Sequence, residues 1–151
     1  MTSSGSDRSL GFAVRRAHRA FDRALQRRLA AHGLSSGHWY CLRALWAEDG
    51  LTQRLLAQRI GLAENTTTVM VTALLRDGLV TRSRSPTDGR AWCLALTERA
   101  MALREQLQPL ASEVNRVAAA TLDPDELDRL LQALAVMTEN LTQDEAAHGP
   151  G

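Results

Sequence analysis

The sequence contains no lysine: all 18 basic residues are arginine. That bias is attributed to genome base composition and given no functional weight. Cysteine is nearly absent. Cys41 and Cys93 are too few and too far apart for a metal site of the CxxC kind. They read as small, semi-buried apolar residues, with redox sensing as the alternative. Aromatics make up only 4% of the chain, so the core must be mostly Leu, Ala and Val, a mixture that favours helix. No apolar run approaches the roughly 20 residues that span a bilayer. The opening MTSSGSDRSLG lacks the basic start and apolar block of a secretion signal, so a cytoplasmic protein without membrane contact or structural disulfide is expected. His18, His32, His38 and His148 show no metal spacing, and neither a nucleophile motif nor a phosphate-binding glycine loop is visible. The expectation is no enzyme, no catalytic residue, no metal and no cofactor.

What is present fits one domain. A chain of 151 residues is long enough to bury most of its apolar surface. The net charge of +1 conceals an asymmetry. Residues 1–51 carry 8 Arg against 4 acids, residues 52–97 carry 6 against 3, and residues 98–151 carry 4 against 10. Positive charge in the first two thirds is compatible with nucleic acid, while the acidic last third cannot be the face that meets it.

The informative stretch runs from Leu51 to Thr97. Thr52 caps a short helix, Gln53 to Ile60, with Leu55, Leu56 and Ile60 inward, and Gly61 ends it. A second helix over about Ala63 to Asp77 buries Thr67, Met70, Val71 and Leu74 at i, i+3, i+4 and i+7. A short glycine-containing joint between two such helices reads as a helix-turn-helix. The opposite face of the second helix carries Asn65, Thr66, Thr68, Val69, Thr72 and Arg76. Consecutive threonines are poor helix formers, so packing alone does not account for them. Asn pairs with adenine and Thr and Val methyls touch thymine, so this face suits base edges. The plain alternative is an ordinary exposed Thr-rich helix. Val80–Ser85 and Ala91–Leu96 alternate as strands around the turn Pro86-Thr87-Asp88-Gly89, with Arg82, Arg84 and Arg90 near the tip. Such a hairpin suits phosphates or a narrow minor groove.

The flanks read as helix. Residues 1–8 are expected to be a disordered tail or an arm that wraps a partner subunit. Ser9 caps a helix to about Ala31 with the stripe Leu10, Val14, Ala17, Phe21, Leu25 and Leu29, stopped by His32-Gly33. Ser35 or Ser36 caps another through Glu48, with Cys41, Leu42 and Leu45 inward and Trp39 and Trp46 extending the stripe. Thr97 caps a helix from Glu98 to about Ala120, which Pro109 is expected to interrupt and bend near residues 105–109. Asp123-Pro124-Asp125-Glu126 starts a last helix to about Glu145, and residues 146–151 are expected to be flexible. The Leu/Ala stripes of these two C-terminal helices exceed what the small helix-turn-helix and hairpin unit can cover, which points to a second copy of the chain.

Gly78-Leu79-Val80 with Arg82, then Ser85-Pro86-Thr87-Asp88-Gly89-Arg90, then Leu96-Thr97, resemble the G-L-V-x-R, S-P-x-D-x-R and L-T elements of the multiple-antibiotic-resistance regulator (MarR) family. Leu51-Thr52-Gln53, Leu56-Ala57 and Ile60-Gly61-Leu62 are similar to its third helix, and the likeness extends from about Leu10 to Leu141. The resemblance implies a mainly α fold with a small β wing. A winged helix-turn-helix over 34–97 would be held by dimerisation helices over 9–33 and 98–145. It also implies a homodimer, wing geometry set by Asp88 and Arg90, Arg90 at the minor groove, and a ligand cleft between the lobes. The sequence departs from the family in having Ala63 where Ser is frequent, and Val69 and Ala73 where Arg is frequent. Base contacts therefore rest on this chain's own Asn65, Thr66, Thr68, Thr72 and Arg76. Ala100 stands in place of a frequent Gly. The reactive cysteine of the peroxide-sensing branch, near the start of the first helix, is missing.

The expected function is a dimeric repressor of a palindromic double-stranded DNA operator, released by a small-molecule effector. The DNA-contacting candidates are Thr52, Gln53, Asn65, Thr66, Thr68, Val69, Thr72, Arg76, Arg82, Arg84, Asp88 and Arg90. The ligand candidates are Arg16, His18, Phe21, His38, Trp39 and Tyr40, a basic and aromatic set that suits an aromatic carboxylate or phenol. The alternatives are a redox-responsive regulator using Cys41 or Cys93, and a winged helix serving protein contacts or architectural DNA binding.

Overall fold

The computed structural model describes residues 8–149. The tail expected over residues 1–8 therefore lies outside the described residues, apart from Arg8. The element order is α1 (Leu10–Ala30), α2 (Ser36–Ala47), α3 (Gln53–Ile60), α4 (Glu64–Arg76), β1 (Val80–Arg84), β2 (Trp92–Leu96), α5 (Glu98–Ala118) and α6 (Pro124–His148). This is the mainly α fold with a small β wing that the sequence implies.

Local chemistry fixes most helix starts. Ser9 accepts from the Phe12 N–H, Ser35 from His38, Thr52 from Leu55 and Asp123 from Glu126. Each satisfies a first-turn donor that has no partner within its helix. Pro124 sits at the first position of α6, where a missing N–H costs nothing. Thr97 spans a junction: its hydroxyl donates to the Gly78 carbonyl at 2.8 Å and accepts the Ala100 N–H at 3.3 Å.

The chain divides into two compact units, one ending at Val114 and one starting at Asn115. In the first, Leu29, Leu42, Leu45, Leu56, Leu74 and Leu94 are fully buried in one continuous core. Trp39 meets Trp46 edge to face at 5.7 Å, and the Trp46 indole N–H donates to the Ala100 carbonyl. The α1 stripe is buried only at its C-terminal end, by Leu25 and Leu29; Leu10, Val14 and Phe21 stay exposed. Antiparallel β1 and β2 pair from Val80↔Leu96 to Arg84↔Trp92. The hairpin is tied down by the Leu94 N–H, which donates to the Leu51 carbonyl at 2.9 Å, and by the Leu96 N–H, which donates to the Asp49 carboxylate. An isolated hairpin of this size would be marginal without such anchors.

Several boundaries differ from expectation. α5 ends at Ala118 and is continuous through Pro109, so the interruption expected there is not a break. Proline removes one N–H, and the turns on either side hold the helix across that gap. In the second unit α6 runs to His148, so residues 146–148, expected to be flexible, are helical. Its last turns are supported by the pairs Gln143–Glu139 and His148–Asp144, four residues apart. No α6 residue is buried, and Leu130, Leu131, Val136 and Leu141 are exposed.

Candidate nucleic-acid interface

α3 and α4 are joined as the sequence suggests. Gly61 adopts φ +71°, a left-handed conformation that L side chains rarely take, and the Leu62 N–H returns to the Ala57 carbonyl at 3.1 Å. α4 starts at Glu64, with Ala63 as an N-cap that makes no side-chain bond to the first turn. Three buried positions, Thr67, Val71 and Leu74, then fix the helix on the core. Thr67 is fully buried yet satisfied, since its hydroxyl donates to the Ala63 carbonyl at 3.0 Å.

His38 ties α2 to the end of α4. Its Nδ1 accepts the Ser35 N–H at 3.0 Å, a role that Glu or Gln fills in most capping boxes. Its Nε2 lies 2.9 Å from Asp77 Oδ2. An Nδ1 acceptor and an Nε2–H donor together define the neutral tautomer that satisfies both ends. Hydrogen bonds from Arg76 and then His38 hold the Asp77 carboxyl below its ordinary range. α2 and α4 approach closely here: a Cβ on Gly37 would lie 3.4 Å from Met70 Cε.

So anchored, α4 turns Asn65, Thr66, Thr68, Val69, Thr72 and Arg76 to solvent. The hydroxyl hydrogens of Thr68 and Thr72 are already used. Thr68 Oγ1 donates to the Glu64 carbonyl at 2.9 Å and Thr72 Oγ1 to the Thr68 carbonyl at 2.8 Å. Thr68 Oγ1 also accepts from the Gln53 amide at 2.7 Å, which brings α3 and α4 candidates together. The Asn65 side chain accepts the Thr66 N–H at 2.9 Å. At Thr68 and Thr72 the face therefore offers methyl groups and oxygen lone pairs rather than free hydroxyl donors, and Val69, 71% exposed, continues it. Thr52 contributes as the α3 cap and is only half-exposed.

The wing holds its groups differently. Ser85, buried at its base, accepts the Thr87 and Asp88 N–H groups, and Asp88 Oδ1 accepts the Arg90 N–H at 3.1 Å. These bonds shape the loop and leave the Arg90 side chain without a hydrogen bond or ion pair among the described residues. Arg82 and Arg84 lie over the Trp92 ring, with guanidinium carbons 4.7 and 4.0 Å from its centroid. Arg84 Nη1 also donates to the Arg90 carbonyl at 3.2 Å. Neither Trp92 nor Ser85 was singled out from sequence as a site residue. The signal for Trp92 was available once register was known, because Arg84 sits directly opposite it.

Residues 34–92 match the MarR family model. The HTH-type transcriptional regulator TtmR of Methylorubrum extorquens (strain PA1) is 34% identical over 135 residues, which span 89% of this chain and 68% of that protein. The chain belongs to the MarR family. Among solved structures, the PcaV transcriptional regulator of Streptomyces coelicolor, in complex with its natural ligand, is 29% identical; the match covers 92% of this chain and 98% of that one, with a TM-score of 0.80. A MarR protein of Peptoclostridium difficile superposes with a TM-score of 0.89 over 99% of this chain and 97% of that one, and at 17% identity shows the fold alone. The MarR family and these relatives are transcriptional regulators rather than enzymes. No helix among the described residues is long and apolar enough to cross a membrane.

The ligand candidates of this MarR chain separate into two sets. Arg16, His18 and Phe21 are exposed on α1, and the half-buried Tyr40 of α2 stacks with His18 at 6.4 Å. The Tyr40 hydroxyl donates to Asp22 at 3.0 Å. Burial, and then that bond, push its phenol up to about 12. An open groove of about 510 Å³ runs beside it, lined by Tyr40, Arg43, Ala44, Ala47, Glu48, Arg59 and Ile60. His38 and Trp39 are buried instead, the first with both ring nitrogens engaged and the second packed on Trp46. Cys41 is fully buried and burial pushes its thiol up to about 12, whereas Cys93 is half-buried on β2.

Proposed function

We propose that this MarR family member is a homodimeric, sequence-specific DNA-binding repressor that a small ligand releases from a palindromic operator. The observation that carries this reading is the pairing of a neutral, Thr-rich face on α4 with an Arg-bearing wing in the adjoining hairpin. Two copies of α4 enter successive major grooves roughly 34–36 Å apart. Methyl and oxygen groups of Thr68, Thr72, Val69 and Asn65 meet base edges, while Arg76, Arg82, Arg84 and Arg90 meet phosphates or the minor groove. Thr52 and Gln53 support the approach from α3, and Asp88 fixes the wing loop. The apolar side chains exposed on α1 and α6 support a second copy as the partner that covers them. The reading also places the protein in the cytoplasm, where its operator is.

The effector side of the proposal rests on Arg16, His18, Phe21 and Tyr40, whose cations and rings suit an aromatic carboxylate or phenol. Such a ligand acts only by preferring the helix spacing that misfits the operator. The redox alternative is opposed at Cys41, because a buried thiol with a raised pKa holds little of the reactive thiolate.

The test is binding to a duplex carrying the inverted repeat beside this gene, against a scrambled duplex of equal length and at stated salt. A regulator prefers the operator by about 10³-fold or more. Equal affinity for both duplexes would leave only an architectural role, and binding to neither would leave a protein-contact module.

A further inference from the structure

The β1–β2 ladder carries two chemistries on one face. Side chains alternate across a strand, so Val80, Arg82 and Arg84 share a face with their partners Leu96, Leu94 and Trp92. At the base, Val80 and Leu94 are buried. Toward the tip the same face becomes Arg82, Arg84 and Trp92. The chain has three tryptophans. Two of them, Trp39 and Trp46, pack against each other in the core region. Trp92 does neither job; it is half-buried on the wing, with two guanidinium groups within 5 Å of its ring.

We infer that Trp92 is a positioning residue for the wing's cationic contacts: its indole holds Arg82 and Arg84 in place before DNA arrives. This rests on the DNA-binding reading above and adds a residue and a mechanism to it. A free arginine on an exposed strand samples many rotamers, and ordering it on a phosphate carries an entropic penalty. Stacking on an indole face removes part of that penalty in advance, while planar guanidinium groups keep their edge N–H donors for phosphate oxygens. Arg84 is fixed a second time by its bond to the Arg90 carbonyl, so the platform also reaches the loop that presents Arg90. Both guanidinium groups lie within 5 Å of one ring centroid, and their shared contact with its π system offsets part of their mutual repulsion.

The experiment compares Trp92→Phe, which keeps an aromatic face, with Trp92→Leu, which keeps apolar bulk without one. Trp92→Ala serves as the extreme. Each is titrated with a labelled operator duplex and with a scrambled duplex over a range of salt, and folding is checked by thermal melting. Trp92→Leu should weaken binding to both duplexes roughly tenfold and keep a salt slope close to the parent's, because both cations remain to meet phosphates. Trp92→Phe should stay within about threefold of the parent, as a weaker but present π face. In an Arg82→Ala/Arg84→Ala background, Trp92→Leu should add nothing. Nuclear magnetic resonance of the free protein supplies a reading independent of DNA: the Arg82 and Arg84 side-chain protons should be shifted upfield by the indole, and Trp92→Leu should abolish the shift. Equal behaviour of the Phe and Leu variants, or a full effect of Trp92→Leu in the Arg82→Ala/Arg84→Ala background, overturns the inference. If the parent protein binds neither duplex, the DNA-binding reading itself fails, and the resonance shifts then report whether the stacking exists without that purpose.

Discussion

α4 and the β1–β2 wing adjoin in sequence and in space, yet they present polar groups in different ways. On α4, the Thr68 and Thr72 hydroxyl hydrogens are turned back to carbonyls four residues earlier, so these two side chains present methyl groups and lone pairs outward. On the wing, backbone groups are tied by Ser85 and Asp88, and charge is pushed outward on Arg82, Arg84 and Arg90. A surface of the first kind discriminates by shape and by the T methyl; one of the second kind attracts any polyanion. Under the proposed DNA-binding reading, that difference assigns sequence choice and overall affinity to separate elements, so mutation should separate them.

The largest effect expected from a single substitution lies beneath both elements. Leu74 is fully buried under α4, so Leu74→Ala should lower stability by about 2–5 kcal/mol in chemical denaturation. It should impair the helix face and the wing together. Loss of only one would show that the two are not supported by a common core.

His38→Ala should be next, at about 1–3 kcal/mol, because it leaves the Ser35 N–H without its side-chain partner and the Asp77 carboxylate with Arg76 alone. The same clamp has a pH signature. Asp77 has a folded pKa below its ordinary value, so its contribution is present above the ordinary carboxylate pKa and is lost as pH falls through the lower, folded value. Asp77→Asn should therefore show a shallower loss of stability in acid than the parent when melting is followed against pH. Parallel acid limbs would count against the clamp.

The smallest effect concerns α1 and α2. Tyr40→Phe removes one hydrogen bond to Asp22 and should cost about 1 kcal/mol in denaturation. Tyr40 is the single tyrosine of the chain, so phenolate absorbance reports it alone. Its folded pKa is raised to about 12, so its contribution is complete below the ordinary value and declines as pH rises toward 12. Titration at the ordinary phenol value in the folded protein would contradict the Asp22 contact.

Much of this molecule could be read before it was seen, and the legible parts share a cause. Ser9, Thr52, Thr97 and Asp123 are caps whose partners lie three residues away, so local spacing reveals them. The buried face of α4 follows from helical period, and the Gly61 joint from its conformational need. What was hidden depends on distant partners. His38 looked like a ligand group because its bond to Asp77 spans 39 positions. The role of Trp92 depends on strand register, which sets it opposite Arg84. Leu10, Val14 and Phe21 have the pattern of a core stripe but stay exposed, since period shows which residues share a face and not what covers it. Pro109 stands inside α5, where the turns on either side carry the helix past the missing N–H.

The division between α4 and the wing is tested most directly by the salt dependence of binding to operator and scrambled duplexes, measured for Arg90→Ala and for the Thr68→Ala/Thr72→Ala pair. Arg90→Ala should weaken both duplexes in parallel and flatten the slope by about 0.9, the value of one phosphate contact. The threonine pair should leave the slope unchanged and narrow the gap between the duplexes by about 1–3 kcal/mol. The account is contradicted if the threonine pair weakens both duplexes equally, or if Arg90→Ala changes the gap and leaves the slope intact.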